Sequence, residues 1–266
     1  MLDATMIPST AQEVVPLTKI KATLSTIWQR LNEARRADGK KELTRSSVMT
    51  LVAFAPDAKE TAWLHDAISG LTGQHPSRAI ILADGKQGDM ATVEIRAHSL
   101  DGTGAVGSEI ITLPVPEGNR RNLAALVTPL LLPDMPIFVW WSGGLPTRDE
   151  TLYGLLELGD YSIFDSADFD NPKEDLIRLA DLMVKRRQRQ VTHAAFNDFN
   201  WTRIKPWREL TAQCFDAEGR GTFLRALDRV NIEYAVQPGE DACPFQSYIF
   251  AGWLASRLGW QPSTTR

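Results

Sequence analysis

The chain has 266 residues, 43% of them hydrophobic and 23% charged, and 33 acidic against 29 basic residues leave a formal net charge of −4. As a whole it carries no electrostatic footprint for duplex nucleic acid or an anionic membrane, and its longest apolar run falls short of the ~20 residues a spanning helix needs. Its length admits one large α/β domain or two smaller ones around a substantial core, and an N-terminus without a basic region and apolar run predicts no secretory signal and hence a cytoplasmic protein.

After a disordered-looking opening, Pro16 to Arg36 reads as an amphipathic helix with Ile20, Leu24, Ile27, Trp28 and Leu31 on one face. The charged stretch Lys40 to Arg45 lies where a linker would. Val48 to Ala55 is strand-like, Pro56-Asp57 offers a turn with an N-cap, and a helix carrying Ala62, Trp63, Ala67 and Ile68 follows. With the strand Arg78 to Ala83 these make one right-handed βαβ unit. Thr92 to Ser99 and Ser108 to Leu113 alternate with period two around Asp101-Gly102, the pattern of an antiparallel hairpin inserted into a parallel sheet.

The α/β alternation then resumes. A helix from Asn119 places Leu123, Leu126, Val127 and Leu130 on one face and leads into LLLPDMPIFVWWSGGLP, Leu130 to Pro146. Pro133 and Pro136 cannot donate ladder hydrogen bonds, so the strand begins at or after Pro136. Ile137 to Trp141 are β-formers without polar interruption, which predicts a central parallel strand with helices on both faces. A helix after Thr147, a strand at Tyr161 to Phe164 and a helix opened by Asn171-Pro172 follow, the last closing on Lys185, Arg186, Arg187 and Arg189. An irregular stretch with two tryptophans leads to helices through Leu210 and Phe215 and over Thr222 to Arg229, then a strand at Ile232 to Val236. An apolar helix, Phe245 to Leu258, stops at Gly259. The expected fold is α/β: a mostly parallel open sheet with flanking helices, an inserted antiparallel hairpin, and a smaller C-terminal α/β lobe. Residues 1–45 form an arm and amphipathic helix, 46–168 the α/β domain and 169–266 the lobe.

Gly102 to Gly107 spell G-x-G-x-x-G, but Ser108 to Thr112 alternate like a strand, and a dinucleotide fingerprint needs a helix opening there. A hairpin loop is the better reading. Small residues end the two central strands, Ser142, Gly143 and Gly144 after one and Asp165 and Ser166 after the next. Ligands of open parallel sheets bind outside the carboxyl ends of strands, which makes these five a candidate small-ligand crevice. The plainer account, which we favour, is that Gly-Gly turns the chain and Asp165 caps a turn. The histidines His65, His75, His98 and His193 are scattered, and Cys214 and Cys243 read as partly buried thiols, so no cofactor or metal is predicted. Arg186 and Arg187 read either as a solvated helix end opposing the macrodipole, the plainer account, or as an interface patch. Trp201, Arg203, Trp207 and Arg208 divide the same way between core residues and partner anchors.

Four blocks in order along the chain carry a family resemblance: HPSRAIIL at His75 to Leu82, PDMPIFVWW, FNDFNWTRIKPWREL at Phe196 to Leu210, and AGWLASRLGW at Ala251 to Trp260. Together they resemble the glucose-6-phosphate dehydrogenase assembly protein family, OpcA. The resemblance implies a non-catalytic protein that binds glucose-6-phosphate dehydrogenase, promotes its oligomeric assembly and raises its activity, feeding the oxidative pentose phosphate pathway and NADPH supply. It also implies, for some photosynthetic members, a thioredoxin link through cysteines. The family offers no catalytic residues to carry over. The expected function is an assembly factor and allosteric activator of that dehydrogenase, with Arg186, Arg187, Trp201, Arg203 and Arg208 as partner-binding candidates. The rival is a small-ligand-binding α/β enzyme acting on a phosphorylated metabolite through the crevice.

Overall fold

A computed structural model describes residues 10–85, 88–100, 104–146, 149–188, 195–235 and 245–261. In chain order the elements are β1 (Thr10–Pro16), α1 (Ile20–Ala37), β2 (Leu43–Arg45), β3 (Met49–Ala55), α2 (Ala58–Leu71), β4 (Ser77–Asp84), β5 (Met90–Leu100) and β6 (Gly104–Val115). Then come α3 (Leu123–Val127), β7 (Ile137–Trp141), α4 (Asp149–Leu158), β8 (Tyr161–Phe164), α5 (Pro172–Gln188), β9 (Ala195–Asp198), α6 (Phe199–Arg203), α7 (Lys205–Asp216) and α8 (Phe245–Leu258).

The strands form one nine-stranded sheet in the order β1-β5-β6-β4-β3-β7-β8-β9, with β2 beside the N-terminal part of β6. β7 begins directly after Pro136, whose carbonyl accepts from the Thr50 amide at 3.0 Å, and it runs parallel to β3 and β8. Its side chains alternate between two cores. Val139 and Trp141 join the larger one with α1, α3, α4 and α5, whereas Trp140 packs with Leu64 and Ile68 of α2. Burial on both faces is what an uninterrupted apolar run requires, and the ring of Trp141 stacks on Phe54 at 4.1 Å.

The inserted hairpin extends the sheet. β6 pairs antiparallel with β5 on one side and parallel with β4 on the other, and β1 adds a second antiparallel pair at the edge. Residues 10–16 and 43–45 are therefore strands of the common sheet, and α1 buries the five apolar residues predicted for it in the common core. Likewise β9 continues the sheet beyond residue 168, and Leu179 and Leu182 of α5 enter the larger core.

Several expected elements differ. The helix from Asn119 is a five-residue α3 between 3-10 turns, the second of which holds Pro129, a residue without an amide to continue the helix. Thr222 to Arg229 is represented by a 3-10 turn at Arg220–Ala226, and residues 232–235 form no strand. The described chain after Asp198 is helical or irregular. Of the G-x-G-x-x-G, Gly102 and Thr103, with Asp101 of the predicted turn, lie outside the described residues, and Gly104 to Gly107 belong to β6. Gly107 has a packing role: a Cβ there would overlap the ring of Trp28, whose Nε1 donates to Glu109 at 2.6 Å.

Candidate functional site

The chain order reverses across β3, with β4 on one side and β7, β8 and β9 on the other, and this switch point is where open α/β sheets form crevices. The five predicted crevice residues do converge there. Asp57 caps α2 by accepting from the Glu60 amide at 2.8 Å, which sets Glu60 in the first turn, and the Glu60 carboxylate accepts from the Ser142 hydroxyl. Gly143 has φ +84 and faces Pro56, so it meets both a conformational and a steric demand for glycine. The Gly144 carbonyl accepts from Trp141 Nε1 at 3.0 Å.

Asp165 accepts from the Ala167 amide at 3.0 Å and is gripped by Arg203 through two hydrogen bonds of 2.6 Å. Ser166 donates from its amide and hydroxyl to Asp198 at 3.1 and 2.7 Å, while its hydroxyl accepts from Asn200 at 3.0 Å. The predicted residues are thus assembled, yet the side chains of Ser142, Asp165 and Ser166 bond to protein partners. Around them stand Glu60, Asp165, Asp168 and Asp198. Burial first, then the charges of Asp165 and Glu60, push the Asp168 carboxyl above its usual range. A negative field of that kind opposes a phosphate, so the geometry does not support the rival enzyme reading. Glu60, Asp168, Asp198 and Asn200 were not singled out from sequence; the available signal was the Asp57-x-x-Glu60 spacing and the polar FNDFN stretch before α7.

The partner-binding candidates separate. Arg186 is only 2% exposed: it donates to the Gly159 carbonyl and, at 3.2 Å, to the Ser162 hydroxyl, and lies over the Phe196 ring. It is neither a solvated helix end nor a surface patch, because it follows Leu179 and Leu182 along the inward stripe of α5. Arg187 is exposed. Arg208 lies 3.5 Å over the Trp201 ring and donates to the Trp201 carbonyl at 3.1 Å, so these two form one unit. Beside them the surface turns apolar. α7 buries none of its residues and α8 buries only Phe245. Trp207, Leu210, Phe223, Tyr234 and Tyr248 all stand exposed, and a groove of about 450 Å³ is lined by Trp207, Tyr234 and Phe250.

Cys214 is exposed on α7, in contrast to its expected burial; Cys243, His193 and Arg189 lie outside the described residues. His65 bonds to Glu94 at 2.7 Å and His98 to Thr72 at 2.6 Å. Among the described residues no group of three His, Cys, Asp or Glu is placed to hold a metal, and no helix is long and apolar enough to cross a membrane.

Fold and surface together define an open-sheet α/β protein whose switch-point crevice is tied by its own ion pair and hydrogen bonds and whose C-terminal helices present an uncovered aromatic surface. Residues 68–181 match a family model described as the glucose-6-phosphate dehydrogenase subunit N-terminal domain, and residues 194–266 match the corresponding C-terminal domain. The chain belongs to this family, OpcA. It is 33% identical over 199 residues to a protein of Synechococcus elongatus carrying the provisional name OxPP cycle protein OpcA, covering 73% of this chain and 42% of that protein. Proteins of the same provisional name from Synechocystis sp. and Nostoc punctiforme are 36% and 34% identical over 154 residues, covering 58% of this chain and 30% of theirs. The chain therefore spans less than half the length of these relatives.

Proposed function

We propose that this chain is a non-catalytic assembly factor and allosteric activator of glucose-6-phosphate dehydrogenase, working in the oxidative pentose phosphate pathway of the cytoplasm. Family membership and the descriptions of its two domain models support the partner. The observation that carries the reading is the uncovered aromatic surface of α7 and α8, where Trp207 and Tyr248 are 64% and 49% exposed. Exposed tryptophan and tyrosine beside arginine are the side chains from which interface hot spots are made. An activator must bind the active form of its target more tightly than the inactive one, and about 1.4 kcal/mol of difference shifts that equilibrium tenfold.

The test is to mix the protein with the dehydrogenase of the same organism, following mass by light scattering and activity across substrate concentrations. A larger complex with raised activity supports the reading. Absence of both, with each protein folded, overturns it. Running the mixture reduced and oxidised addresses the thioredoxin link implied for some members, since Cys214 is exposed on α7.

A further inference from the structure

A second concavity lies on the other side of β3 from the crevice. α2 packs through Leu64 and Ile68 on β3 and β4, and beyond it the same face of β6, β5 and β1 stays open. The result is a groove of about 700 Å³, within the size range of small-molecule sites, with α2 as its wall and residues of β1, β4, β5 and β6 in its floor. Strand alternation decides the floor. Thr92 and Thr112 are directly opposed across β5 and β6, and Gln12 reaches the same groove from β1.

Three properties of this floor point to a ligand. Thr112 is 8% exposed and lines the groove, and its hydroxyl, which is open to solvent there, takes part in no hydrogen bond among the described residues. Thr92 and Gln12 are likewise without hydrogen-bond partners there, which leaves an array of uncommitted neutral donors and acceptors. The neighbouring charges, by contrast, are committed. Asp84 is bound by Arg120 at 2.8 and 2.7 Å, Glu94 by His65 and Arg96, and Asp57 by the Glu60 amide. A phosphate would meet the Asp57 and Asp84 carboxylates, and a cation would find Asp84 already paired.

We infer that this groove binds a neutral polyhydroxylated small molecule, a sugar or polyol, whose hydroxyls pair with Gln12, Thr92 and Thr112. The site is separate from the aromatic surface of α7 and α8 and does not depend on the partner assigned to it. Alternating hydroxyls on such a ligand both donate and accept, as do the threonine hydroxyls and the glutamine amide.

The experiment is a titration of the full ¹⁵N-labelled chain, followed by two-dimensional amide NMR, with glucose, maltose and sorbitol, and with inorganic phosphate and glucose 6-phosphate as anionic counter-probes. Saturable shifts from a neutral probe, centred on the amides of Thr92 and Thr112, are the expected result. Thr112→Val keeps the shape and removes the hydroxyl, and weakens binding about tenfold, the loss of one hydrogen bond. Ala62→Trp, at an exposed position on the groove wall, fills the space and abolishes the shifts while the melting temperature holds. No saturable shift from any neutral probe at millimolar concentration overturns the inference. So does tighter binding of the phosphorylated probes, or an Ala62→Trp chain that binds as well as the parent.

Discussion

Arg203 and Asp165, offered by the sequence as members of two separate candidate sites, hold each other through a pair of 2.6 Å hydrogen bonds. The two-pronged geometry joins α6 to the end of β8 and places a guanidinium among the carboxylates of the switch point. The Arg203→Ala chain is expected to lose about 1 kcal/mol in urea unfolding, a typical value for a well-formed but partly exposed pair. Arg203→Glu is expected to lose more, since it adds a negative charge beside Asp165 and Asp168. Charge reversal at Arg203 therefore changes the fold's own ion pairs, and a weaker partner complex in that variant does not by itself locate the interface.

Two adjacent arginines on α5 should behave unlike each other. Arg186→Glu places a carboxylate against the Gly159 carbonyl in a buried site, and a cost of about 3–5 kcal/mol is expected, the range for disrupting buried charge. Arg187→Glu, at an exposed position, should stay within ~0.5 kcal/mol of the parent. Denaturant midpoints of the two variants compare them directly, and equal midpoints would contradict the burial of Arg186.

Gly107→Ala inserts a methyl group into the space of the Trp28 ring. Overpacking of this kind costs about 1–3 kcal/mol, and because the ring must move it also disturbs the Trp28 Nε1 bond to buried Glu109. A lowered melting temperature together with a changed tryptophan emission is the expected outcome. An unchanged melting temperature would show that the ring and strand separate at no cost.

The pH dependence has two arms of opposite sign. Asp168 is held above its ordinary carboxylate range by burial, then by Asp165 and Glu60, so the fold favours its protonated form. Its stabilising contribution is complete below the unfolded value near 3.8 and is lost as pH rises through the raised one. Asp168→Asn should therefore be more stable than the parent at neutral pH, an advantage that disappears in acid. His98 is held below 6.5 by burial, then by the charge of Arg96, so the fold favours the neutral ring. Its contribution is complete above 6.5 and is lost as pH falls through the depressed value. Melting temperatures of Asp168→Asn and His98→Gln against pH separate the two arms.

On the aromatic surface, Trp207→Asp should leave urea unfolding within ~0.5 kcal/mol of the parent, because the side chain is 64% exposed. If α7 docks on the dehydrogenase, the same change should weaken the complex by ~2 kcal/mol or more, the scale of a hot spot. Fluorescence-detected titration gives the affinity. Full affinity in both Trp207→Asp and Tyr248→Ser would exclude this surface as the contact.

The amino-acid sequence by itself determined the interior of the sheet. The apolar run from Ile137 to Trp141, bounded by Pro136 and Ser142, has no stable setting other than a strand covered on both faces, and Asp57 can cap only the helix that follows it. The polar ends of the central strands were equally legible, since that is where open sheets gather them. What escaped the sequence depended on neighbours far along the chain. β2 is only three residues long and β1 carries polar residues, so their stability comes from pairing with β6 and β5. Residues 232–235 alternate suitably for a strand but have no strand beside them among the described residues. Charge was the least legible feature: a basic run reads as solvated, and only the packed fold shows that Arg186 turns inward while Arg187 stays out. Tertiary structure alone decided that Asp165 and Arg203 neutralise each other, because an ion pair is set by distance in space, and local periodicity carries no record of that distance.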